Sequence, residues 1–259
     1  MRLTRLYVAT ALANGSLLEL PADSGAHIAR VLRGRPGDPV VLFNGSGEDF
    51  SAVIDTVRGN RVSVLVGAPS RIDNESPLEI TLLQSVARGD RMDFVVQKAT
   101  ELGAMRVIPV LSRRSVVRLD DEQAAAKQAH WQAVAAAACE QCGRSRIPTV
   151  DTPAPLLAVL GGLSGEQLRL VFEVPEAGAP ALLAPKRGPG RAVIVAIGPE
   201  GGFDAEELEA FALTGFTRCA LGPRILRTET AALAALVCLQ TLMGDLSVLS
   251  DESLLPPDS

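Results

Sequence analysis

Residues 192–203, AVIVAIGPEGGF, determine the fold class of the C-terminal part of the chain. The first six residues are apolar without alternation, which is typical of a strand buried on both faces of a parallel sheet. The turn at 198–202 leads into a helix predicted over Ala205–Leu213, with Asp204 as its N-terminal cap. A buried strand, a glycine-rich turn and a helix in this order predict an α/β unit.

The same alternation of strands and helices extends to both sides of this stretch. Short apolar runs predict strands, and longer stretches of helical periodicity predict helices. We expect strands at 80–85, 107–111, 168–174 and 218–221, and helices at 91–102, 121–142, 155–160 and 230–243. The chain therefore predicts a parallel sheet covered by helices on both faces.

The first seventy residues have a different pattern, with short strands separated by turn residues. Strands are predicted at 39–43, 51–57 and 61–66, the last two joined by the turn Arg58-Gly59-Asn60, and a short helix at 25–32. The polar stretch 69–77 is predicted to be a linker. We therefore expect a small β-rich domain at 1–72, a main domain at 73–249 and a disordered tail at 250–259.

Composition limits the class of protein. Of 259 residues, 47% are hydrophobic but only 3% are aromatic, which predicts an aliphatic core. No apolar run approaches the roughly 20 residues needed to span a bilayer, and the start of the chain lacks a signal-peptide pattern, so we expect a cytoplasmic protein with no membrane partner. Cys139 and Cys142 lie within a helical pattern and have no second cysteine pair, which favours packing over a metal or redox site.

Charge is unevenly distributed along the chain. The net charge of -5 argues against a nucleic-acid partner, but residues 84–118 contain seven basic and three acidic side chains. An acidic total can therefore conceal a basic face that attracts phosphates. The alternative is that these arginines are ordinary solvated surface residues.

Three loops that leave predicted strands indicate a ligand site, because parallel α/β sheets bind ligands at the carboxyl ends of their strands. They follow the strands at 168–174, 192–197 and 218–221. The 198–202 loop combines glycines with a proline, so its backbone donors and acceptors can be held in fixed directions for an adenine edge. It matches neither the dinucleotide fingerprint nor a phosphate-binding P-loop. The alternative is a plain turn between a strand and a helix.

The loop before the last helix contains two aliphatic residues between two arginines. Ile225 and Leu226 suit a role in covering a flat ring, while Arg224 and Arg227 face an anionic substrate, and Thr228 or Thr230 is predicted to cap the helix. The alternative is that both aliphatic residues belong to the core and that both arginines pair with glutamates.

These segments resemble the signature loops of the SPOUT methyltransferases, in particular the bacterial family that methylates N3 of a uridine in 16S ribosomal RNA. The resemblance covers roughly residues 1–245, and the strings GPEGG and ILRTETA are its most specific parts. The N-terminal stretch, including His27 and the turn Asn44-Gly45-Ser46-Gly47, is similar to the PUA-like RNA-binding module of that family. Weaker matches are QKATELG at 97–103, RRS at 113–115 and EQCGR at 140–144, where the family commonly has serine in place of Cys142.

The resemblance implies a PUA-like β-barrel followed by a SPOUT domain with a C-terminal trefoil knot. It implies a homodimer whose active site takes residues from both subunits, a 16S ribosomal RNA or small-subunit substrate, S-adenosylmethionine as cofactor and no metal. The implied cofactor-binding residues are Phe172, Glu173, Gly198, Pro199, Glu200, Gly201, Gly202, Leu221, Gly222, Ile225, Leu226, Thr228 and Thr230.

Methylation at N3 requires loss of an imide proton, and arginine donors can stabilise the resulting anion. Our hypothesis gives Arg227 or Arg144 this role, and gives Glu140 or Glu229 the role of proton acceptor. The alternative for Glu140 is a helix-end residue paired with Arg144. The residues expected to bind RNA are Arg2, Arg5, His27, Arg30, Arg33, Arg88, Arg113, Arg114 and Arg224.

Three other functions stay open from the sequence. The chain could methylate another RNA site, or act as a non-catalytic RNA-binding factor in ribosome assembly. It could also be an α/β enzyme that uses a different nucleotide, although the sequence contains no phosphate-binding lysine loop.

Overall fold

The computed structural model describes residues 3–174 and 192–246. Within these residues the chain divides into two compact units. Met1–Glu75 and Ala133–Pro148 form the first unit, and Ser76–Gln132 and Thr149–Ser259 form the second. The segment Ala133–Pro148 thus packs with the N-terminal part of the chain, although the sequence pattern placed it in the main domain.

The first unit contains a five-stranded sheet. Its strands are β1 (Thr4–Tyr7), β2 (Leu17–Glu19), β3 (Pro39–Phe43), β4 (Glu48–Arg58) and β5 (Arg61–Arg71), in the spatial order β1-β3-β4-β5-β2. Strands β4 and β5 form the predicted antiparallel hairpin, in which Arg58 pairs with Arg61. Buried residues from β1, β3, β4 and β5 share one core, as expected for a barrel-like module.

A helical segment connects β2 to β3 along the chain and packs against β5. It consists of α1 (Ala22–Ala26) followed by a π-helical stretch, His27–Leu32, from which Ile28 enters the core. Arg33 ends it in the left-handed region with φ of 53°, the only non-glycine residue with positive φ among those described. The predicted helix is therefore confirmed, with π geometry in its second half.

The second unit is the predicted α/β domain. It contains β6 (Glu79–Ser85), β7 (Ala104–Leu111), β8 (Thr149–Val150), β9 (Ala154–Pro155), β10 (Leu168–Glu173), β11 (Ala192–Ile197) and β12 (Thr217–Ala220). The spatial order is β12-β10-β11-β6-β7-β8, with β9 also paired to β7, and all pairings are parallel. The carboxyl ends of β10, β11 and β12 therefore lie at the same edge of the sheet.

The helices are α2 (Arg91–Glu101), α3 (Asp121–Cys142), α4 (Leu156–Gly161), α5 (Ala205–Leu213) and α6 (Thr228–Met243). The predicted cap of α5 is confirmed, because the Asp204 carboxylate accepts from the Glu207 N–H and the Glu207 carboxylate accepts from the Asp204 N–H. In the described part of the chain, no helix has the length and apolarity that crossing a bilayer requires.

Several element boundaries differ from the predicted ones, two of them for a visible reason. The linker predicted from residue 69 begins inside β5, which continues to Arg71, because the polar residues there still pair with β4. Helix α6 begins at Thr228, with Arg227 as the N-cap residue and no side-chain cap, so the predicted cap by Thr228 or Thr230 is wrong. The trefoil knot stays a prediction, and the tail predicted to be disordered lies outside the described residues.

Candidate active site

A pocket in the second unit lies at the carboxyl edge of the sheet, where the loops after β10, β11 and β12 meet. Eleven of the thirteen proposed cofactor residues line it, whereas Gly222 and Thr230 do not. The eleven are Phe172, Glu173, Gly198, Pro199, Glu200, Gly201, Gly202, Leu221, Ile225, Leu226 and Thr228. The structure thus brings together three segments that are far apart in sequence.

The carbonyl groups of the 198–202 loop are mostly occupied by the protein itself. The Thr228 hydroxyl donates to the Gly198 carbonyl at 2.7 Å, and the Gly202 N–H donates to the Pro199 carbonyl at 2.9 Å. An Arg114 N–H donates to the Gly201 carbonyl at 2.8 Å. The carbonyls of Glu200 and Gly202 and the N–H groups of Glu200 and Gly201 make no such bond in the described structure, so this loop keeps both donors and acceptors for a ligand.

The loop between β12 and α6 has a different hydrogen-bonding state. Across residues 221–226 within the described chain, the backbone N–H and carbonyl groups make no hydrogen bond to other backbone groups outside regular elements. Leu226 is half-buried and Ile225 is 76% exposed, so the alternative that both belong to the core does not hold for Ile225. This loop retains both donors and acceptors beside an apolar surface.

Charged side chains surround the pocket and anchor its loops. Arg218 on β12 forms an ion pair with Glu173 at the end of β10. Arg91 on α2 forms an ion pair with Glu200 in the 198–202 loop. No role could be predicted for either arginine, because their acidic partners come from distant segments.

Arg227 and Glu229, two catalytic candidates, lie at the start of α6 beside this pocket. Arg227 is exposed, and among the described residues it forms neither an ion pair nor a side-chain hydrogen bond. Glu229 is half-buried, and its Oε2 atom is buried without a hydrogen-bond partner in the described structure. The alternative pairing of Arg224 and Arg227 with glutamates is not observed, and Glu206 pairs with Arg113 instead.

The other two catalytic candidates belong to the first unit. Arg144 is only 5% exposed, and its guanidinium forms an ion pair with Glu75, with Nη2 to Oε2 at 2.6 Å. The Nε and Nη2 donors of Arg144 are thus occupied within the first unit, which favours a structural role for this residue. Glu140 does not pair with Arg144, and its Oε1 accepts from the Tyr7 N–H at 2.8 Å.

Burial raises the pKa of Glu140 above its ordinary value of 4.5, and the opposing effects of the Tyr7 N–H, His27 and Arg5 do not cancel it. A carboxyl group whose pKa is raised by folding stabilises the folded state at pH values below its pKa in the unfolded chain. This stabilisation is lost as the pH rises through its pKa in the folded protein. We expect Glu140→Gln, which keeps an acceptor for the Tyr7 N–H, to have a melting temperature that rises relative to that of wild type as the pH increases from 4.5 to 8. Thermal unfolding across this range tests it, with Glu122→Gln, an exposed glutamate of the same helix, as the control.

The basic residues proposed to bind RNA fall into two groups, one buried and one exposed. Arg5 is an internal residue with a side chain 9% exposed, paired with Asp49, donating to the Arg144 carbonyl at 3.1 Å and packed on the Phe43 ring. Its charge is neutralised within the first unit, so the structure favours a structural role for Arg5 over phosphate binding. The other described members are exposed, namely His27, Arg30, Arg33, Arg88, Arg113, Arg114 and Arg224, whereas Arg2 lies outside the described residues.

The cysteines and His130 lie outside this pocket. Cys139 is buried, and its pKa is raised by a hydrogen bond with Cys142 and by burial, which keeps it a neutral thiol. His130 contacts Asp93 at 2.7 Å, and the same carboxylate accepts from the Trp131 indole at 3.0 Å. No group of metal-binding side chains is present within residues 3–174 and 192–246.

Comparison with known proteins identifies the family. A model described as an RNA methyltransferase domain matches residues 74–240, and one described as an RNA methyltransferase PUA domain matches residues 20–66. The chain belongs to this RNA methyltransferase family. The predicted combination of a PUA-like module and a methyltransferase domain is thereby confirmed.

Individual members of the family align over most of their length. The ribosomal RNA small subunit methyltransferases E of Buchnera aphidicola and Bacillus subtilis are 31% and 32% identical, with 95% and 85% of this chain and 99% and 89% of theirs covered. The crystal structure of the Neisseria gonorrhoeae methyltransferase E, bound to S-adenosyl methionine, is 39% identical with a TM-score of 0.88 and covers 95% of this chain and 100% of that one.

Proposed function

We propose that this protein transfers a methyl group from S-adenosylmethionine to N3 of a uridine in 16S ribosomal RNA. The observation that carries the proposal is the pocket at the carboxyl edge of the sheet, where residues from three separate loops meet beside unpaired arginines. The names of the relatives, which are small-subunit ribosomal RNA methyltransferases, support the substrate class. The same names support a location in the cytoplasm, where ribosomal RNA is assembled into subunits.

The donors and acceptors in the pocket fit this cofactor. Adenine presents both an exocyclic amine and ring acceptors, and the 221–226 loop retains both carbonyl and N–H groups to pair with them. Leu221, Ile225 and Leu226 provide apolar contact for the ring. The 198–202 loop, which also keeps donors and acceptors, is suited to polar atoms such as those of the ribose. S-Adenosylmethionine supplies an electrophilic methyl group that needs no metal for transfer.

The protein's own contribution is to prepare the uridine. Removal of the N3 proton leaves negative charge on N3, O2 and O4, and a guanidinium directed at these atoms stabilises it. Arg227 is exposed beside the pocket and has no ion-pair partner within residues 3–174 and 192–246, so we assign it this role in preference to the buried Arg144. Glu229, with a buried oxygen that lacks a partner, is the preferred proton acceptor.

RNA binding is proposed to use the exposed cations of both units, including Arg33 and Arg88. Each phosphate contact adds about 0.7–0.9 to the slope of log K against log salt concentration. We expect Arg33→Ala and Arg88→Ala each to flatten this slope by about that amount, measured with a ribosomal RNA fragment. Arg61→Ala, an exposed arginine outside the proposed set, is the control and should leave the slope unchanged. Unchanged slopes in both variants would remove these residues from the RNA surface.

We also propose that the active form is a homodimer, as the family resemblance implies. Helix α6, beside the pocket, has partly exposed aliphatic side chains at Val237 and Leu242 that a second subunit would cover. Light scattering after gel filtration tests the oligomeric state.

Calorimetric titration with S-adenosylhomocysteine, followed by mapping of methylated uridines in RNA treated with the purified protein, tests the proposed function. Binding together with a new N3-methyluridine supports it. Binding with methylation at another nucleotide would favour a different RNA site, and absence of cofactor binding would favour a non-catalytic assembly factor.

A further inference from the structure

A buried glutamine adjoins the pocket without lining it. Gln84 is the penultimate residue of β6, is 0% exposed, and lies in register with Ile197, the last residue of β11. Its amide donates to the Thr228 hydroxyl at 2.8 Å and to the Ser85 carbonyl at 3.0 Å. A buried polar side chain requires hydrogen-bond partners, and the partners of Gln84 indicate its role.

The direction of these hydrogen bonds follows from the chemistry of their ends. The Ser85 carbonyl can only accept, so the amide nitrogen of Gln84 must face it, which leaves the second N–H for the Thr228 oxygen. The Thr228 hydroxyl then uses its single proton on the Gly198 carbonyl, another group that can only accept. Gln84 therefore donates to Thr228, and Thr228 donates to Gly198. This is the one direction of donation consistent with the Ser85 and Gly198 carbonyls, which can only accept.

The last of these hydrogen bonds, from Thr228 to the Gly198 carbonyl, holds a peptide group that has a carbonyl but no N–H. The peptide between Gly198 and Pro199 has no N–H, so its carbonyl alone can fix its orientation. The N–H donors of Glu200 and Gly201 follow directly in the same loop. Holding the Gly198 carbonyl therefore constrains the backbone that carries these two donors, in a loop that lines the pocket.

Thr228 makes this bond instead of capping its own helix. A threonine at a helix start commonly caps it, yet α6 has no side-chain cap and Thr228, at 4% exposure, is turned toward the 198–202 loop. We infer that Gln84 is a positioning residue for the cofactor site, acting through Thr228 to hold the Gly198–Pro199 peptide in its binding orientation. The inference rests on the proposed function, because it takes S-adenosylmethionine as the ligand.

The test compares S-adenosylhomocysteine affinity with thermal stability in matched variants. Loss of one hydrogen bond of ordinary strength corresponds to about a tenfold change in Kd at most. We expect Thr228→Val to raise Kd about tenfold, Gln84→Met about three- to tenfold, and Thr228→Ser, which keeps the hydroxyl, to stay within about twofold of wild type. The double variant should bind no more weakly than Thr228→Val alone, since both changes remove the same chain of hydrogen bonds.

Gln240 provides the control for a purely structural effect. It is also a buried glutamine of the second unit, 2% exposed, bonded to the Leu102 carbonyl at 2.7 Å and to Ser76, and it does not line the pocket. Gln240→Met should lower the melting temperature while leaving Kd unchanged. If Gln84→Met behaves in the same way as Gln240→Met, or if Thr228→Val binds as well as Thr228→Ser, the inference is overturned. Absence of binding by the wild-type chain would instead overturn the proposed function, and this inference with it.

Discussion

Replacing Arg227 by alanine is expected to slow methyl transfer by about 10²- to 10³-fold while changing S-adenosylhomocysteine affinity little. Removal of a donor that stabilises developing negative charge has a cost of this order. Arg227 does not line the pocket, and its guanidinium is exposed and unpaired among the described residues, so neither cofactor binding nor folding depends on it in the structure. Single-turnover methylation of a ribosomal RNA fragment measures the rate, and calorimetry measures the affinity.

Two other arginines make this experiment specific. Arg224 lies in the same loop and lines the pocket, so Arg224→Ala should change binding of the cofactor or RNA more than the rate at saturation. Arg144→Ala should lower the melting temperature instead, because it leaves the Glu75 carboxylate without its buried partner. If Arg144→Ala slows the reaction at unchanged stability while Arg227→Ala does not, the two assignments must be exchanged.

The sheet and the place of the pocket could be predicted from the sequence because both depend on local patterns. Strand β11 is apolar along its whole length, and β10 has three consecutive buried apolar residues, Leu170–Phe172, which the sequence pattern shows directly. The loops that follow β10, β11 and β12 meet because parallel strands bring their carboxyl ends to one edge. Eleven residues of the pocket followed from this rule and from the family resemblance.

The environment of individual polar residues could not be predicted, because it depends on contacts between distant segments. Arg5 counted as a basic residue in the sequence, yet it is paired with Asp49, 44 positions away. Thr228 was predicted to cap a helix, but its hydroxyl donates a hydrogen bond to the Gly198 carbonyl, 30 positions away in sequence. Residues 133–142 continue helix α3 without a break, and nothing local reveals that Ala133–Pro148 packs with the N-terminal unit.

Replacing Glu229 by glutamine is expected to slow methyl transfer by about 10²-fold or more, the usual contribution of a general base. Glutamine has almost the same shape, so packing at the start of α6 should be preserved. The charge lost from the first turn of the helix costs only about 0.3–1 kcal/mol. Single-turnover rates at saturating cofactor measure the effect, and Glu140→Gln is the matched variant because glutamine keeps the bond from the Tyr7 N–H.

The acidity of the substrate separates a proton acceptor from a positioning group at Glu229. A 5-fluorouridine at the target site has a more acidic N3–H, so less help is needed to remove its proton. If Glu229 accepts this proton, the defect of Glu229→Gln should become smaller with the fluorinated RNA, because the missing base matters less. If the ratio of wild-type to variant rates is the same for both RNAs, Glu229 does not accept the proton. A smaller defect in Glu140→Gln alone would transfer the role to Glu140, whose pKa is raised by burial.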